Sequence, residues 1–241
     1  MSHHASDRMP ILPKLLLTRP HEGNARLLAA CEAEFGEAIP SVDSPVLEIE
    51  RIGDWPDLSS YRSVLLTSAN AVWGDLSGLL AYCVGARTAE AARGAKAQVK
   101  AVAMDAVSLM KEQPELQGSV IYLRGAHVSQ DLAAQYGCAE HITYDQRALP
   151  LTDDARALIT GEDPALLPLF SPRSARLIAK DICGQGQTPG PKLRVIALSD
   201  AVAQAWQDEW SDIPDHGLVE ICPAPTQVMM VGRIVASLCD A

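Results

Sequence analysis

Short aliphatic runs recur along the chain, and each run stops at polar, basic or small residues. Leu15–Leu17, for example, is followed by Thr18 and Arg19. Uninterrupted runs of this length are typical of strands that are buried on both faces of a sheet. The pattern predicts strands over 15–17, 64–66, 82–84, 120–125, 167–170 and 195–198.

Helical spacing of apolar residues follows most of these strands. We expect the first helix to begin with Asn24 as its cap and to end at Gly36, and we expect another to end at Gly137. Further helices are predicted over 88–93, 107–110, 201–210 and 228–238. Strands that alternate with helices indicate an α/β fold with parallel sheets.

The pattern occurs twice. Three stretches of the first half are echoed in the second half in the same order, and the residue offsets, 124 − 19 = 105, 171 − 68 = 103 and 197 − 84 = 113, are similar. The pairs are 14–20 with 120–125, 64–70 with 167–174, and 82–89 with 195–203. Ligands of parallel sheets bind at the carboxyl ends of strands, so both halves are expected to present a binding edge.

Two further segments occupy matching places in the repeat. Val46–Ile49 alternates apolar with polar residues, which suits a strand, and Ala148–Leu151 corresponds to it in the second copy. Pro150 restricts the latter segment to an edge or linking strand. We predict that both are hinge strands. The repeat alone leaves two arrangements open. The chain could form two tandem lobes, split near residue 115, or two lobes that interleave.

Composition narrows the classes of function. The 241 residues suit one large or two small domains, and the net charge of −10, without a basic block, argues against nucleic-acid binding. Six cysteines without C-x-x-C spacing are typical of free thiols in a reducing cytosol. The apolar runs are too short to span a membrane, and residues 1–8 lack the apolar segment of a secretory signal, so we expect neither feature.

Cofactor and metal motifs are absent from the sequence. It has no G-x-G-x-x-G, no P-loop and no zinc-site spacing among its six histidines, so we predict neither a cofactor nor a metal. Ser68, Ser171 and Ser199 follow predicted strands but do not lie in G-x-S-x-G. Each serine is individually expected to cap a helix, whereas the set, together with exposed helix amides, would bind an anion.

Arginines at the strand ends favour a carboxylate ligand. Arg19 and Arg124 occupy equivalent positions in the repeat, and Arg173 and Arg147 lie near turns of the second copy. A guanidinium binds a carboxylate through two parallel hydrogen bonds, although a single surface arginine is often only solvated or paired.

Tyr144 is the candidate for acid–base chemistry. A phenol keeps its proton at neutral pH and can therefore donate it. The alternative is an ordinary half-buried tyrosine without a chemical role.

Seven pieces of the sequence, in this order and spacing, resemble the uroporphyrinogen-III synthase family. The resemblance spans residues 14–238, and its pieces are Leu16–Pro20, Pro45–Glu50, Leu66–Val72, Val84–Ala89, Tyr122–Gly125, Thr143–Gln146 and Phe170–Ala175. It implies two interleaved α/β lobes with parallel, flavodoxin-like sheets, joined by a two-stranded β ladder. Residues 1–43 and 150–241 would form lobe 1, residues 44–149 lobe 2, and segments 46–50 and 147–151 the ladder.

The resemblance also implies the reaction. The substrate would be hydroxymethylbilane, a linear tetrapyrrole with eight carboxylates, which loses water and is cyclised with inversion of its last ring to uroporphyrinogen III. The family needs no metal or cofactor, and a cytoplasmic monomer without nucleic-acid or membrane partners is expected. Tyr144 would be the proton donor. The expected substrate-binding residues are Arg19, Ser68, Asn70, Thr88, Arg124, Gly125, Ser171, Arg173, Ser174 and Ser199.

The chain departs from many members of that family after the strand at 195–198. Leu198, Asp200 and Val202 stand where small residues and threonines are common. Because a carboxylate facing an anionic ligand would be unfavourable, we expect Asp200 to turn away from the ligand or to cap a helix.

Two other interpretations are compatible with these residues. One is a non-catalytic, two-lobed binding or sensor module for a tetrapyrrole or a small anion. The other is a tandem flavodoxin-like interaction domain with a bound flavin.

Overall fold

The secondary structure alternates between strands and helices over nearly the whole chain. The computed structural model describes residues 12–128, 130–210 and 218–240, so the predicted lobe assignments of the other residues lie outside the described part. In chain order the strands are β1 (Lys14–Leu17), β2 (Ser41–Asp43), β3 (Leu47–Arg51), β4 (Ser63–Leu66), β5 (Leu80–Val84), β6 (Gln98–Ala103), β7 (Val120–Gly125), β8 (Ala139–Ala148), β9 (Ala165–Leu169), β10 (Leu193–Ala197) and β11 (Leu218–Ile221).

Helices connect most of these strands, as the crossovers of a parallel sheet require. They are α1 (His21–Phe35), α2 (Ala86–Gly94), α3 (Ala106–Glu112), α4 (Leu132–Tyr136), α5 (Asp153–Thr160), α6 (Pro172–Gly184), α7 (Asp200–Gln207) and α8 (Gln227–Cys239). Short 3₁₀ helices cover Ala69–Ala71 and Asp208–Trp210.

The chain divides into two units, each with its own sheet. Unit 1 comprises the described residues up to Glu48 and those from Ala148 onward, and unit 2 comprises Ile49–Arg147. The predicted fold class, two α/β lobes built on parallel sheets, is confirmed.

Unit 1 contains a five-stranded sheet in the order β11-β10-β9-β1-β2, and its neighbouring strands are parallel. Successive residues of β1 enter opposite cores: Leu16 packs with Leu167 on one face, whereas Leu15 and Leu17 pack with Ile234 of α8 on the other. This distribution is what a strand covered by helices on both sides requires, and it accounts for the uninterrupted aliphatic runs in the sequence.

Unit 2 contains the strands β6-β5-β4-β7-β8, which are likewise parallel, and β3 lies beside β8 at the edge. Ile52 N donates to Thr143 O (3.1 Å) and Leu149 N donates to Val46 O (2.9 Å), so the two segments run antiparallel. They form the two-stranded ladder.

The repeat in the sequence corresponds to a repeat in sheet order. The echoed strand pairs are β1 with β7, β9 with β4, and β10 with β5, and each pair occupies the same place in its sheet. Unit 1 starts its sheet with β1, whereas unit 2 reaches the equivalent β7 only after three other strands of its parallel sheet. The two sheets therefore share one arrangement with different chain connections.

The prediction that Asn24 caps the first helix is wrong. Helix α1 begins at His21, its cap is Pro20, and Asn24 lies inside the first turns with 2% of its surface exposed. Its side-chain oxygen accepts from Arg19 N (2.9 Å) and its amide donates to Leu17 O (3.0 Å). The buried amide thus satisfies backbone groups at the junction between β1 and α1. The predicted glycine stops at Gly36 and Gly137 are confirmed, and both residues have positive φ angles.

The second ladder segment, predicted over 147–151, coincides with the ladder only up to Leu149, whose N–H donates to Val46 O. The strand is β8, which ends at Ala148, whereas the first segment is β3, close to the predicted 46–50. Pro150 has no N–H to continue the ladder. Leu151 is nevertheless buried, and its N–H donates to the Asp181 carboxylate (3.1 Å) in unit 1.

Candidate active site

Unit 2 presents its predicted site residues at the carboxyl ends of neighbouring strands. Ser68 and Asn70 follow β4, Arg124 and Gly125 end β7, and Tyr144 lies in β8 opposite Gly125. Because β4, β7 and β8 are adjacent and parallel, these residues lie at one edge of one sheet. Five of the residues predicted for unit 2 are therefore brought together by its topology.

The ring of Tyr144 lies directly over Gly125. A Cβ atom built on Gly125 would lie 2.6 Å from Cζ and 2.9 Å from the hydroxyl oxygen of Tyr144. Only glycine leaves room for the ring at this distance. Tyr144 is 5% exposed, and its carbonyl oxygen accepts a hydrogen bond from Ala126 N (2.9 Å). The phenol is thus fixed by packing and by its backbone.

Arg124 is held by a carboxylate of its own unit. Its Nε and Nη2 donate to the two carboxylate oxygens of Glu140 (2.7 and 3.0 Å), and its Nη1 donates to Gly125 O (2.9 Å). This fork raises the pKa of Arg124 and lowers the pKa of Glu140. Arg124 therefore braces the strand end that carries Gly125.

Ser68 and Asn70 form a tight turn after β4. The hydroxyl of Ser68 caps the 3₁₀ helix by accepting from Asn70 N (3.2 Å), as expected for a serine that follows a strand. Thr88 lies in the first turn of α2 after Gly85, whose φ is +83°, and is 4% exposed.

Unit 1 places its predicted residues at the corresponding strand ends. Arg19 follows β1, and its guanidinium lies 4.1 Å from the centre of the Phe170 ring, which follows β9. Ser171 caps α6 by accepting from Ser174 N (3.1 Å), and the two hydroxyls are 2.9 Å apart. Arg173 is the second residue of the same helix.

Ser199 differs from the other serines. It is the cap residue of α7 by position, but its side chain makes no capping hydrogen bond to that helix. Unlike the hydroxyls of Ser68 and Ser171, the hydroxyl of Ser199 therefore does not cap the helix that follows it. Asp200 is the exposed first residue of α7, where the positive end of the helix stabilises a carboxylate.

Two sets of polar contacts at these strand ends are not predicted from the sequence. Thr67 Oγ1 and Tyr122 Oη lie 2.9 Å apart in unit 2, and burial raises the pKa of Tyr122. In unit 1, Asp43 binds His21 Nδ1 (2.7 Å) and the Asn24 amide (2.5 Å). Thr67 directly follows an aliphatic run and could have been found by that signal. Asp43 ends the short polar strand β2, which the hydrophobic pattern does not reveal.

A comparison with known protein families identifies the family of this chain. The family model described as uroporphyrinogen-III synthase HemD matches residues 26–213 of the 241. The chain belongs to the uroporphyrinogen-III synthase family. The resemblance seen in the scattered sequence pieces is thereby confirmed, and with it the function of this family.

Solved structures of the family share the fold. The uroporphyrinogen-III synthetase of Helicobacter pylori 26695 superimposes with a TM-score of 0.62 at 14% identity, covering 94% of this chain and 100% of that one. A mutant uroporphyrinogen III synthase from the extremely thermophilic bacterium Thermus thermophilus gives a TM-score of 0.53 at 14% identity, covering 95% and 100%. No curated protein matches the chain at a significant level.

Within the described residues, none of the helices combines the length and the apolarity needed to cross a membrane. The same residues contain no group of three or more His, Cys, Asp or Glu side chains arranged to hold a metal ion.

Proposed function

We propose that this protein closes hydroxymethylbilane to uroporphyrinogen III, with inversion of the terminal pyrrole ring and loss of one water. The observation that carries the proposal is the family match over residues 26–213. The strand-end donors of both units, and a tyrosine at the edge of the unit 2 sheet, supply the chemistry that this reaction needs.

We assign the role of proton donor to Tyr144. Its O–H gives a proton to the hydroxymethyl oxygen, the C–O bond breaks with its electron pair, and the oxygen leaves as water. The bilane becomes an electrophilic azafulvenium cation, and the proton lost when the macrocycle forms neutralises that charge and restores the phenol. Acid assistance of this kind contributes typically about 10²–10⁴-fold. The near-complete burial of the ring, at 5% exposure, supports a fixed direction of proton transfer.

We assign the carboxylates of the substrate to the remaining predicted residues. In unit 1 these are Arg19, Ser171, Arg173, Ser174 and Ser199, and in unit 2 they are Ser68, Asn70, Thr88, Arg124 and Gly125. Guanidinium groups, hydroxyls and backbone amides at helix starts are suitable partners for carboxylates. The net charge of −10 opposes an anionic ligand only at long range, because salt screens charges beyond about 8–10 Å.

We further propose that the protein is a cyclising hydro-lyase that works without metal or cofactor as a cytoplasmic monomer. All six cysteines are free thiols, which supports a reducing compartment. Binding energy from many carboxylates would hold the flexible bilane with its ends in reach, and positioning can supply several kcal/mol of the barrier reduction.

The test is a product analysis. Purified protein is incubated with enzymatically made hydroxymethylbilane, the products are oxidised, and isomers I and III are separated by chromatography. Spontaneous closure gives isomer I, so predominance of isomer III is the expected result. Isomer I alone would reject the enzyme and favour the non-catalytic binding or sensor module.

A further inference from the structure

The strand β8 contains one extra residue next to Tyr144. Arg124 of β7 pairs with Ile142 and Gly125 pairs with Tyr144, so Thr143 has no partner in the β7 ladder. This is a β-bulge, which bends a strand and redirects the side chains beside it. Bulges are over-represented next to active sites.

The bulge breaks the alternation of side chains along β8. Thr143 and Tyr144 are consecutive and buried, yet they reach the same neighbour: the Thr143 hydroxyl donates to Ala71 O, and Ala71 packs in the same core cluster as the Tyr144 ring. In a regular strand consecutive side chains point to opposite faces. The extra residue therefore sets the direction of the Tyr144 ring and its place over Gly125.

The hydroxyl of Thr143 fixes the bulge to two other parts of the edge. Its Oγ1 lies 3.2 Å from Ala71 O and 3.4 Å from Arg124 O, and its single proton is shared between these two carbonyls. Ala71 ends the 3₁₀ helix that contains Asn70, and Arg124 precedes Gly125. One buried hydroxyl thus links β8 to the turn after β4 and to the end of β7.

The carbonyl of Thr143 is held from the other side. Trp73 Nε1 donates to Thr143 O at 3.0 Å, and Ile52 N donates to the same oxygen at 3.1 Å. The Trp73 ring is itself fixed by an edge contact with Trp55, with ring centres 4.9 Å apart, and by the Arg51 guanidinium at 5.6 Å. The hydroxyl and the backbone carbonyl of Thr143 are therefore both held by hydrogen bonds.

We propose that Thr143 is a positioning residue for ring closure: its bulge and its hydroxyl hold the Tyr144 phenol in register with the Ser68–Asn70 turn and the Arg124–Gly125 strand end. This inference rests on the proposed function. Packing alone would need only a β-branched shape, which valine also has. The hydroxyl is needed only for the bonds to Ala71 O and Arg124 O, and both of these carbonyls belong to segments of the proposed site.

The experiment compares Thr143→Val, which keeps the shape and removes the hydroxyl, with Thr143→Ser, which keeps the hydroxyl. For T143V we expect kcat to fall about tenfold, since displacement of a reacting group by about 1 Å can cost up to 10²-fold. We expect KM to change by less than about twofold and the fraction of isomer III to fall, whereas T143S restores both kcat and isomer ratio.

Thr160→Val is the matched control. Thr160 Oγ1 donates to Arg156 O (2.9 Å) in α5 of unit 1, so the substitution removes the same kind of bond away from the proposed site residues. T160V should leave kcat and the isomer ratio unchanged. Circular dichroism and thermal unfolding show whether each variant folds.

Equal kcat and isomer ratio for folded T143V and wild type would overturn the inference, as would a failure of T143S to restore them. If T143V does not fold, Trp73→Phe decides, because it removes the Nε1 donor and keeps an aromatic ring. W73F with wild-type kcat and isomer ratio overturns the inference; a fall in both supports it. Wild-type protein that yields only isomer I would instead reject the proposed function itself.

Discussion

The hydroxyl of Tyr144 lies over Gly125, so close that a methyl group on Gly125 would be 2.9 Å from that oxygen and 2.6 Å from Cζ. Gly125 is the last residue of β7, and Tyr144 is its partner in β8. The two residues are 19 positions apart in the sequence, from 125 to 144. Because Gly125 has no side chain, the phenol ring of Tyr144 can occupy the space next to it.

Gly125→Ala is expected to lower kcat more than it changes KM. The added methyl group must push the Tyr144 ring aside, since 2.6 Å is far below a van der Waals contact. Overpacking of this kind costs typically about 1–3 kcal/mol, so the free energy of urea unfolding should fall by a similar amount. Steady-state kinetics and urea titration measure the two effects.

Gly184→Ala is the control for that substitution. Gly184 ends α6, and a Cβ atom there would meet nothing within 4 Å beyond its chain neighbours and the backbone of its own helix. G184A should leave kcat unchanged and should not destabilise the protein. If G125A also keeps the wild-type kcat, the Tyr144 ring does not need its present place for the reaction.

Tyr144→Phe is expected to slow turnover without abolishing it. The phenyl ring keeps the packing over Gly125, so the stability should change little, but the proton donor is lost. Water can still deliver the proton, and the loss is bounded by the typical contribution of acid assistance, about 10²–10⁴-fold. The measurement is kcat at saturating substrate, and an unchanged value would refute the acid role.

Aliphatic runs predicted the central strands because those strands are buried on both faces. Every residue of β4 and β9 is buried, and apart from Ser63 the sequence of each is correspondingly apolar. The edge strands β2, β6 and β11 were missed for the opposite reason. β6 alternates exposed and half-buried residues up to Ala103, with Gln98 and Lys100 exposed. Half-solvated edges carry no continuous apolar signal.

Helix α5 was missed although the sequence contains its start signal. Thr152 caps it by accepting from Ala155 N (3.3 Å), and Asp153 and Asp154 occupy its first turn. A capping threonine followed by acidic residues is a usual helix start. The preceding segment, Ala148–Leu151, was assigned to the ladder from its matching place in the repeat.

The candidate site could be predicted in part only. Strand ends indicated Ser68, Arg124 and Ser171, because polar residues there directly follow apolar runs. The place of Tyr144 over Gly125 depends on the bulge at Thr143, which is held by hydrogen bonds to residues distant in the sequence, such as Ala71, 72 positions earlier. Local sequence patterns do not contain that information.

Arg19→Ala is expected to raise KM more than it lowers kcat. Arg19 follows β1 and lies against Phe170, at the edge where a substrate carboxylate would meet unit 1. A hydrogen bond to a charged group is worth about 1.5–3 kcal/mol, so KM should rise by about tenfold or more. Product formation at a series of substrate concentrations separates KM from kcat.

Arg26→Ala serves as the comparison for Arg19→Ala. Arg26 pairs with Glu22 one turn away on the exposed face of α1 (3.5 Å), and such surface pairs contribute little. R26A should keep the wild-type KM. An unchanged KM in R19A as well would mean that backbone amides and hydroxyls hold the substrate carboxylates in unit 1.

Glu140→Gln is expected to remove a stabilising contribution that depends on pH. The Arg124 fork lowers the pKa of Glu140 below its ordinary value of 4.5, so the folded state favours the carboxylate. The contribution is complete above 4.5 and is lost as the pH falls through the lowered pKa of the folded protein. The difference in unfolding free energy between wild type and E140Q should therefore be constant near neutral pH and shrink in acid.

Urea unfolding across the acid range measures this difference, with Glu37→Gln at an exposed position as control. If the difference between wild type and E140Q persists unchanged in acid, it comes from packing rather than from the charge on Glu140.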